Sequence, residues 1–348
     1  MSFFQKEFLN TLGCIFIICL AGCQGRDIQE PDLKKQWGTA IIITGAAAKI
    51  PQEAALIERL YKTGSLKDVV FISGASSGSI NLVVLSAILD HKLTWSNYKE
   101  MLFGITNDSI FIQYNSKIPV DTEPLHKFLI RIFNDSLGYR KIADLPYPSA
   151  ISIVNLKILD FSERTFRMSN FKINPESDPA LDLVDVIMAS CSYPLAFPAQ
   201  HIRNVTTIPD DEYIDGGIAA DHVPFQAVIE FEKYRNLRVE KLIIVSRKRD
   251  TIPDVGEELK QFGIDNFELL DKLGISLEDI SRGGFIKRLK AIQEEAPVLA
   301  KRTFVYIPDF PEIFYMFDFN NSKEQYLVTE KWSCTHNPIP LEDYLKDK

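Results

Sequence analysis

One serine stands at a spacing that serves nucleophilic chemistry: Gly74-Ala75-Ser76-Ser77-Gly78 has the form G-x-S-x-G. It follows the β-branched run Val69-Val70-Phe71-Ile72 and precedes an apolar stretch over residues 80–89, so a strand turns sharply into a helix. Such a turn lifts the serine hydroxyl off the sheet edge. Glycines two before and two after it let strand and helix approach without Cβ clashes. The helix that follows aims its N-terminal N–H groups at the serine, favouring negative charge there. Ser76 is therefore the candidate nucleophile.

A hydroxyl nucleophile needs a base. The chain has five histidines, His91, His126, His201, His222 and His336, and none lies in a context that marks it as one. A triad esterase using one of them is an alternative, but in such folds the serine elbow follows several strands, whereas here it follows the second. Asp215, in Tyr213-Ile214-Asp215-Gly216-Gly217, ends a short apolar stretch and is followed at once by glycines. A carboxylate of ordinary pKa, about 3.9, is a weak base toward an alcohol. A Ser76–Asp215 pair therefore calls for a well-stabilised oxyanion and a carboxyl pKa raised by burial. Asp221 and His222 read as loop-fixing residues, and Asp210-Asp211-Glu212 as a solvated loop. No Cys/His spacing resembles a zinc site, and no metal or organic cofactor is implied.

The elements that must position these residues follow from periodicity. Apolar, β-branched runs at 40–43, 69–72, 150–154, 242–245 and 303–307 predict buried strands. Helical spacing appears over 52–61, 183–189 and 276–293. The stretch 80–89 is apolar nearly all round, so its helix is buried on several sides. Strands alternating with helices predict an α/β fold, a three-layer sandwich on a mostly parallel central sheet. Residues 101–105 and 110–112 form an apolar segment broken by Gly104 and Asn107-Asp108, which reads as a lid, a lipid-contacting rim or a piece of core. With 348 residues, 46% of them hydrophobic, the chain can bury a substantial core, and no linker divides residues 37–348. A net charge of -8 argues against a nucleic-acid partner.

In order and spacing these motifs resemble the patatin-like phospholipases, which carry a glycine-rich loop after the first strand, a G-x-S-x-G elbow and a D-G-G or D-G-A acid. Here Gly45-Ala46-Ala47-Ala48-Lys49, Gly74-Ala75-Ser76-Ser77-Gly78 and Asp215-Gly216-Gly217 occur in that order. Ala189-Ser190-Cys191-Ser192-Tyr193-Pro194-Leu195-Ala196-Phe197-Pro198 is similar to the family's small-residue helix ending in a Pro-x-x-Phe-Pro turn. Asp221-His222-Val223-Pro224 lies where the family has an Asn-containing segment ending in Pro. The resemblance implies that Ser76 is the nucleophile, Asp215 its base, and Gly45, Ala46 and Ala47 the oxyanion N–H donors. It implies a hydrolase of lipid acyl esters, of phospholipase or lysophospholipase type, with lipid or phospholipid as substrate and no cofactor. The family loop usually has three glycines and then an arginine; this one keeps Gly45 and has Lys49 in the arginine region. Lysine makes no forked contact, so Lys49 receives no catalytic role. An alanine at a position that needs φ > 0 would be strained. The alternative raised by that departure is a catalytically impaired relative that binds lipid or a protein partner.

The N-terminus reads separately. Residues 12–20 form an apolar run too short to span a membrane, ending in Leu20-Ala21-Gly22-Cys23. This ending resembles a bacterial lipobox, which implies a signal peptide over 1–22, lipidation of Cys23 and a membrane anchor, with residues 23–36 as a polar tether. An uncleaved signal anchor is the alternative. Gln24 after the cysteine favours the outer membrane of a bacterial cell envelope in the proteins this resembles. Cys14 and Cys19 would leave with the signal, and Cys191, among small apolar neighbours, reads as a buried free thiol.

Overall fold

The apolar runs become the centre of one nine-stranded sheet. In chain order its strands are β1 Thr39–Ile43, β2 Val69–Ala75, β3 Ser149–Asn155, β4 Thr165–Ser169, β5 Gln200–His201, β6 Glu212–Asp215, β7 Lys241–Val245, β8 Thr303–Tyr306 and β9 Ile339–Pro340. The computed structural model describes residues 37–158, 164–218, 220–346 and 348. The expected signal peptide, the lipidation site Cys23 and the tether lie outside those residues.

Strands β3, β2, β1, β7 and β8 run parallel, and they are the five that the sequence predicts. The mostly parallel sheet is extended by antiparallel strands: β4 and β6 on β3, β5 on β6, and β9 on β8. Side chains alternate across it. Ile41 and Ile43 enter one apolar layer, with the helices Ile50–Lys62, Ser77–Leu89, Leu183–Ser190 and Ser322–Ser333. Ala40 and Ile42 enter the other, with Phe225–Arg235 and Arg282–Glu295. The result is the expected three-layer α/β sandwich.

One predicted helix is two. Ser281, at φ −84° and ψ −179°, interrupts the 276–293 pattern between Leu277–Ile280 and Arg282–Glu295. Its Oγ donates to the Glu278 carbonyl and accepts the Gly283 N–H, closing one helix and capping the next. The apolar segment before β3 serves mainly as core: Leu102, Ile110 and Phe111 are buried, while Ile112 is 39% exposed. Among the described residues no helix is long and apolar enough to cross a membrane.

The sheet also explains how distant parts of the chain meet. Ile153 and Val154 of β3 pair with β4 along one edge, so their pairing with β6 uses the opposite edge. That edge is also the one bonded to β2, through Ser152 and Ala75. Because β2 runs parallel to β3 and β6 antiparallel, the C-terminal ends of β2 and β6 face each other along a single strand. Ala75 pairs with Ser152 and Asp215 pairs with the next residue, Ile153.

Candidate active site

Ser76 is the first residue past β2 and Asp215 the last of β6, and their side chains touch. Ser76 Oγ donates to Asp215 Oδ2 at 2.6 Å across 139 residues of sequence. Among the described residues no histidine is hydrogen-bonded to Ser76 Oγ. Ser76 has φ 53° and ψ −139°, a left-handed φ that is costly for a residue with a Cβ. Several contacts hold it there. Its N–H donates to Ser190 Oγ at 2.9 Å, Ser190 Oγ donates to the Ser152 carbonyl at 2.7 Å, and Ser79 Oγ donates to the Ser76 carbonyl at 2.6 Å. Gly78 permits the turn, because a Cβ there would lie 2.4 Å from the Ile43 and Thr44 carbonyl oxygens.

Asp215 is 2% exposed. Burial raises its carboxyl to about 7, against the lowering effect of hydrogen bonds from Ser76 Oγ and the Gly217 N–H. The Gly217 N–H meets Oδ1 at 2.7 Å, and the Asp215 N–H donates to the Ser192 carbonyl at 3.0 Å. The small-residue segment 190–192 thus fixes both partners of the pair. That role for Ser190 is not legible beforehand; the density of small residues around it is the only sign.

The loop after β1 lies beside Ser76, and its three expected donors differ. A Cβ on Gly45 would sit 2.9 Å from Ser76 Cβ, so the backbone passes against Ser76. The Ala46 N–H departs from expectation: it donates to Ser77 Oγ at 3.1 Å and is occupied. Ala47 has φ 45°, the conformation in which glycine is the ordinary residue. Among the described residues the N–H groups of Gly45 and Ala47 have no hydrogen-bond acceptor. Because alanine already holds the left-handed conformation, Ala47→Gly is expected to change esterase activity less than about threefold. It should stabilise the fold by about 0.5–1 kcal/mol, relief of strain outweighing the greater backbone freedom of glycine. Urea melts and initial rates side by side check both statements.

Lys49 is buried and structural, pairing with Asp250 at 2.8 Å and Glu258 at 3.1 Å. Burial and the neighbouring Arg247 lower its pKa. Asp221 accepts from Ser152 Oγ at 2.6 Å and from Arg167 at 2.7 and 2.8 Å, fixing its loop as expected. Glu212 opens β6, so the acidic run is only partly loop; Asp211 pairs with Lys157. Cys191 is buried and Cys334 exposed, both as free thiols.

Two cavities meet at the pair. The first has about 820 Å³ of empty space and walls that are almost wholly apolar, among them Ile80, Leu102, Leu129, Phe133 and Phe317. The second, about 390 Å³, contains the loop after β1 together with His222, Arg247 and Arg249. The two arginines follow β7 at the carboxyl end of the parallel strands, where ligands of open α/β sheets bind. Sequence reading passes over them, although Ser246-Arg247-Lys248-Arg249-Asp250 directly after a predicted strand is a visible signal.

This sheet, elbow and acid define the class. The Patatin-like phospholipase family model matches residues 41–229, more than half of the chain, and the chain belongs to that family of lipid hydrolases. No curated protein matches the sequence. Among solved structures, VipD from Legionella pneumophila is similar at 11% identity, over 87% of this chain and 67% of that one, with a TM-score of 0.43.

Proposed function

We propose that the protein hydrolyses carboxylic esters of lipids through a Ser76–Asp215 dyad. The observation that carries this reading is the 2.6 Å hydrogen bond from Ser76 Oγ to a buried carboxylate at the junction of an apolar and a polar cavity. The acyl chain lies in the apolar cavity and the alcohol half in the polar one. Asp215 takes the Ser76 proton as Oγ attacks the carbonyl, and the N–H groups of Gly45 and Ala47 receive the negative oxygen. The tetrahedral intermediate collapses, the alcohol leaves with the proton returned by Asp215, and an acyl-enzyme remains. Water, deprotonated by Asp215, then releases the fatty acid.

The raised carboxyl suits this role. A base near pKa 7 is about half ionised at neutral pH and takes a proton far more readily than an ordinary aspartate. Since only the ionised form accepts the proton, kcat/KM should climb as pH rises through about 7 and level off above it. A fluorophosphonate probe should label the wild type but not Ser76→Ala, and the pH dependence of labelling should match that of turnover. A folded protein that neither reacts with the probe nor cleaves any of a panel of phospholipids, lysophospholipids and short esters would favour the non-catalytic, lipid-binding alternative.

A further inference from the structure

The polar cavity is walled by two buried guanidinium groups, those of Arg247 and Arg249. Arg249 is 7% exposed. Its guanidinium donates to Ser246 Oγ at 2.9 Å, Thr44 Oγ1 at 2.8 Å and His222 Nε2 at 2.6 Å, and lies 4.0 Å from the centre of the Phe285 ring. All four partners are neutral. Burial and the neighbouring arginines lower the His222 pKa well below its ordinary value, so the ring accepts without charge. Among the described residues Arg249 has no carboxylate within ion-pairing distance. Glu53, the acid beneath Thr44, accepts from Thr44 Oγ1 at 2.9 Å, so a hydroxyl stands between it and the guanidinium, and burial raises its pKa.

Arg247, 4% exposed, lines the same cavity. It pairs with Asp250, which also meets Lys49, itself paired with Glu258; among the described residues Arg247 Nε has no hydrogen-bond partner. A guanidinium has five N–H donors, and Arg249 uses three of them on the contacts above. Withdrawing such a group from water without an opposite charge is strongly unfavourable, and the face of one aromatic ring only partly offsets it. Forked guanidinium donors match the oxygens of phosphate in geometry and charge.

We propose that this cavity is a subsite for a phosphate group on the alcohol half of the ester, with Arg249 as its charge partner and Arg247 as a second donor. The assignment rests on the Ser76–Asp215 reading for its orientation, since the apolar cavity on the other side of Ser76 takes the acyl chain. Arg247 and Arg249 then determine specificity: they favour lysophospholipid-like esters over neutral glycerides of the same chain length.

The test is equilibrium binding to the full chain of two non-hydrolysable ethers, a 1-O-alkyl glycerol 3-phosphate and the matching 1-O-alkyl glycerol, both below their micellar concentrations. The phosphorylated ether should bind at least about tenfold more tightly. Arg249→Gln should cut that preference to less than about threefold, and Arg247→Gln should reduce it in part; the neutral ether, measured in each variant, reports whether the cavity is still folded. Equal affinity of the wild type for the two ethers would overturn the proposal, as would a preference that survives in both folded variants. If inorganic phosphate alone binds as tightly as the phosphorylated ether, the cavity is a free-anion site and the substrate assignment falls. None of these readouts needs turnover. Failure of the hydrolytic reading is seen separately, in the probe labelling of Ser76.

Discussion

Asp215→Asn is expected to lower ester hydrolysis by at least about a thousandfold and, above pH 7, to make the protein harder to unfold. The first effect follows from proton transfer. An amide cannot accept the Ser76 proton, and the 2.6 Å hydrogen bond that activates the hydroxyl becomes one in which the amide N–H donates to it. The second follows from burial. Burial raises the carboxyl from an ordinary 3.8 to about 7, so the folded state binds a proton that the unfolded state has released between those two values. The wild type therefore loses stability as pH rises through that window and loses no more from this group above it. Asparagine has no such dependence and keeps an oxygen for the Gly217 N–H. The variant's advantage should be absent near pH 4, open through pH 5–6, and reach about 2–4 kcal/mol above pH 7. Urea titrations at three pH values give the curve; a variant less stable than wild type at pH 8 would contradict the burial account of the raised pKa.

Gly78→Ala should be among the most damaging changes of a single methyl group. Helix propensity alone predicts the opposite sign, a gain of about 0.5–1 kcal/mol for alanine inside a helix. Here the added Cβ would lie 2.4 Å from two backbone oxygens at the end of β1, and neither is a flexible side-chain tip. To accept it the elbow helix must retreat from the sheet, taking Ser76 and the N-termini behind it out of position. A loss of about 3 kcal/mol or more is expected, above the usual 1–3 kcal/mol of core overpacking because backbone rather than side chains must move. The urea midpoint shows which sign prevails, and activity should fall further than the remaining folded fraction explains.

The parallel core is legible in the sequence because its strands are covered on both faces and must be apolar without a break, as Ile41-Ile42-Ile43 and Leu242-Ile243-Ile244-Val245 are. The antiparallel edges are not. Gln200–His201 and Ile339–Pro340 are two residues long, and Glu212–Asp215 begins in a charged stretch, so neither length nor alternation marks them. Ser76 and Asp215 stand out through the glycines around them, which the backbone geometry requires. What brings the two together is invisible locally, since it depends on which edge of β3 each strand takes. The arginines after β7 go unread for a different reason. Charged residues beyond a strand usually mark solvent, and only the folded chain shows Arg249 buried against Phe285 and His222 in the wall of the polar cavity.

The abutment of two strand ends on one shared neighbour separates catalysis from selectivity. The spacing between hydroxyl and carboxylate is set by the register of a handful of main-chain bonds along Ser152 and Ile153. Much of the apolar cavity is walled by residues 98–133, between the elbow helix Ser77–Leu89 and β3, including Leu102, Leu125, Leu129 and Phe133, none of which belongs to that ladder. Insertions, deletions or wholesale replacement over that interval would reshape the chamber for a longer or shorter fatty chain and leave the reacting atoms in place. A scaffold of this kind can diversify its diet without relearning its chemistry.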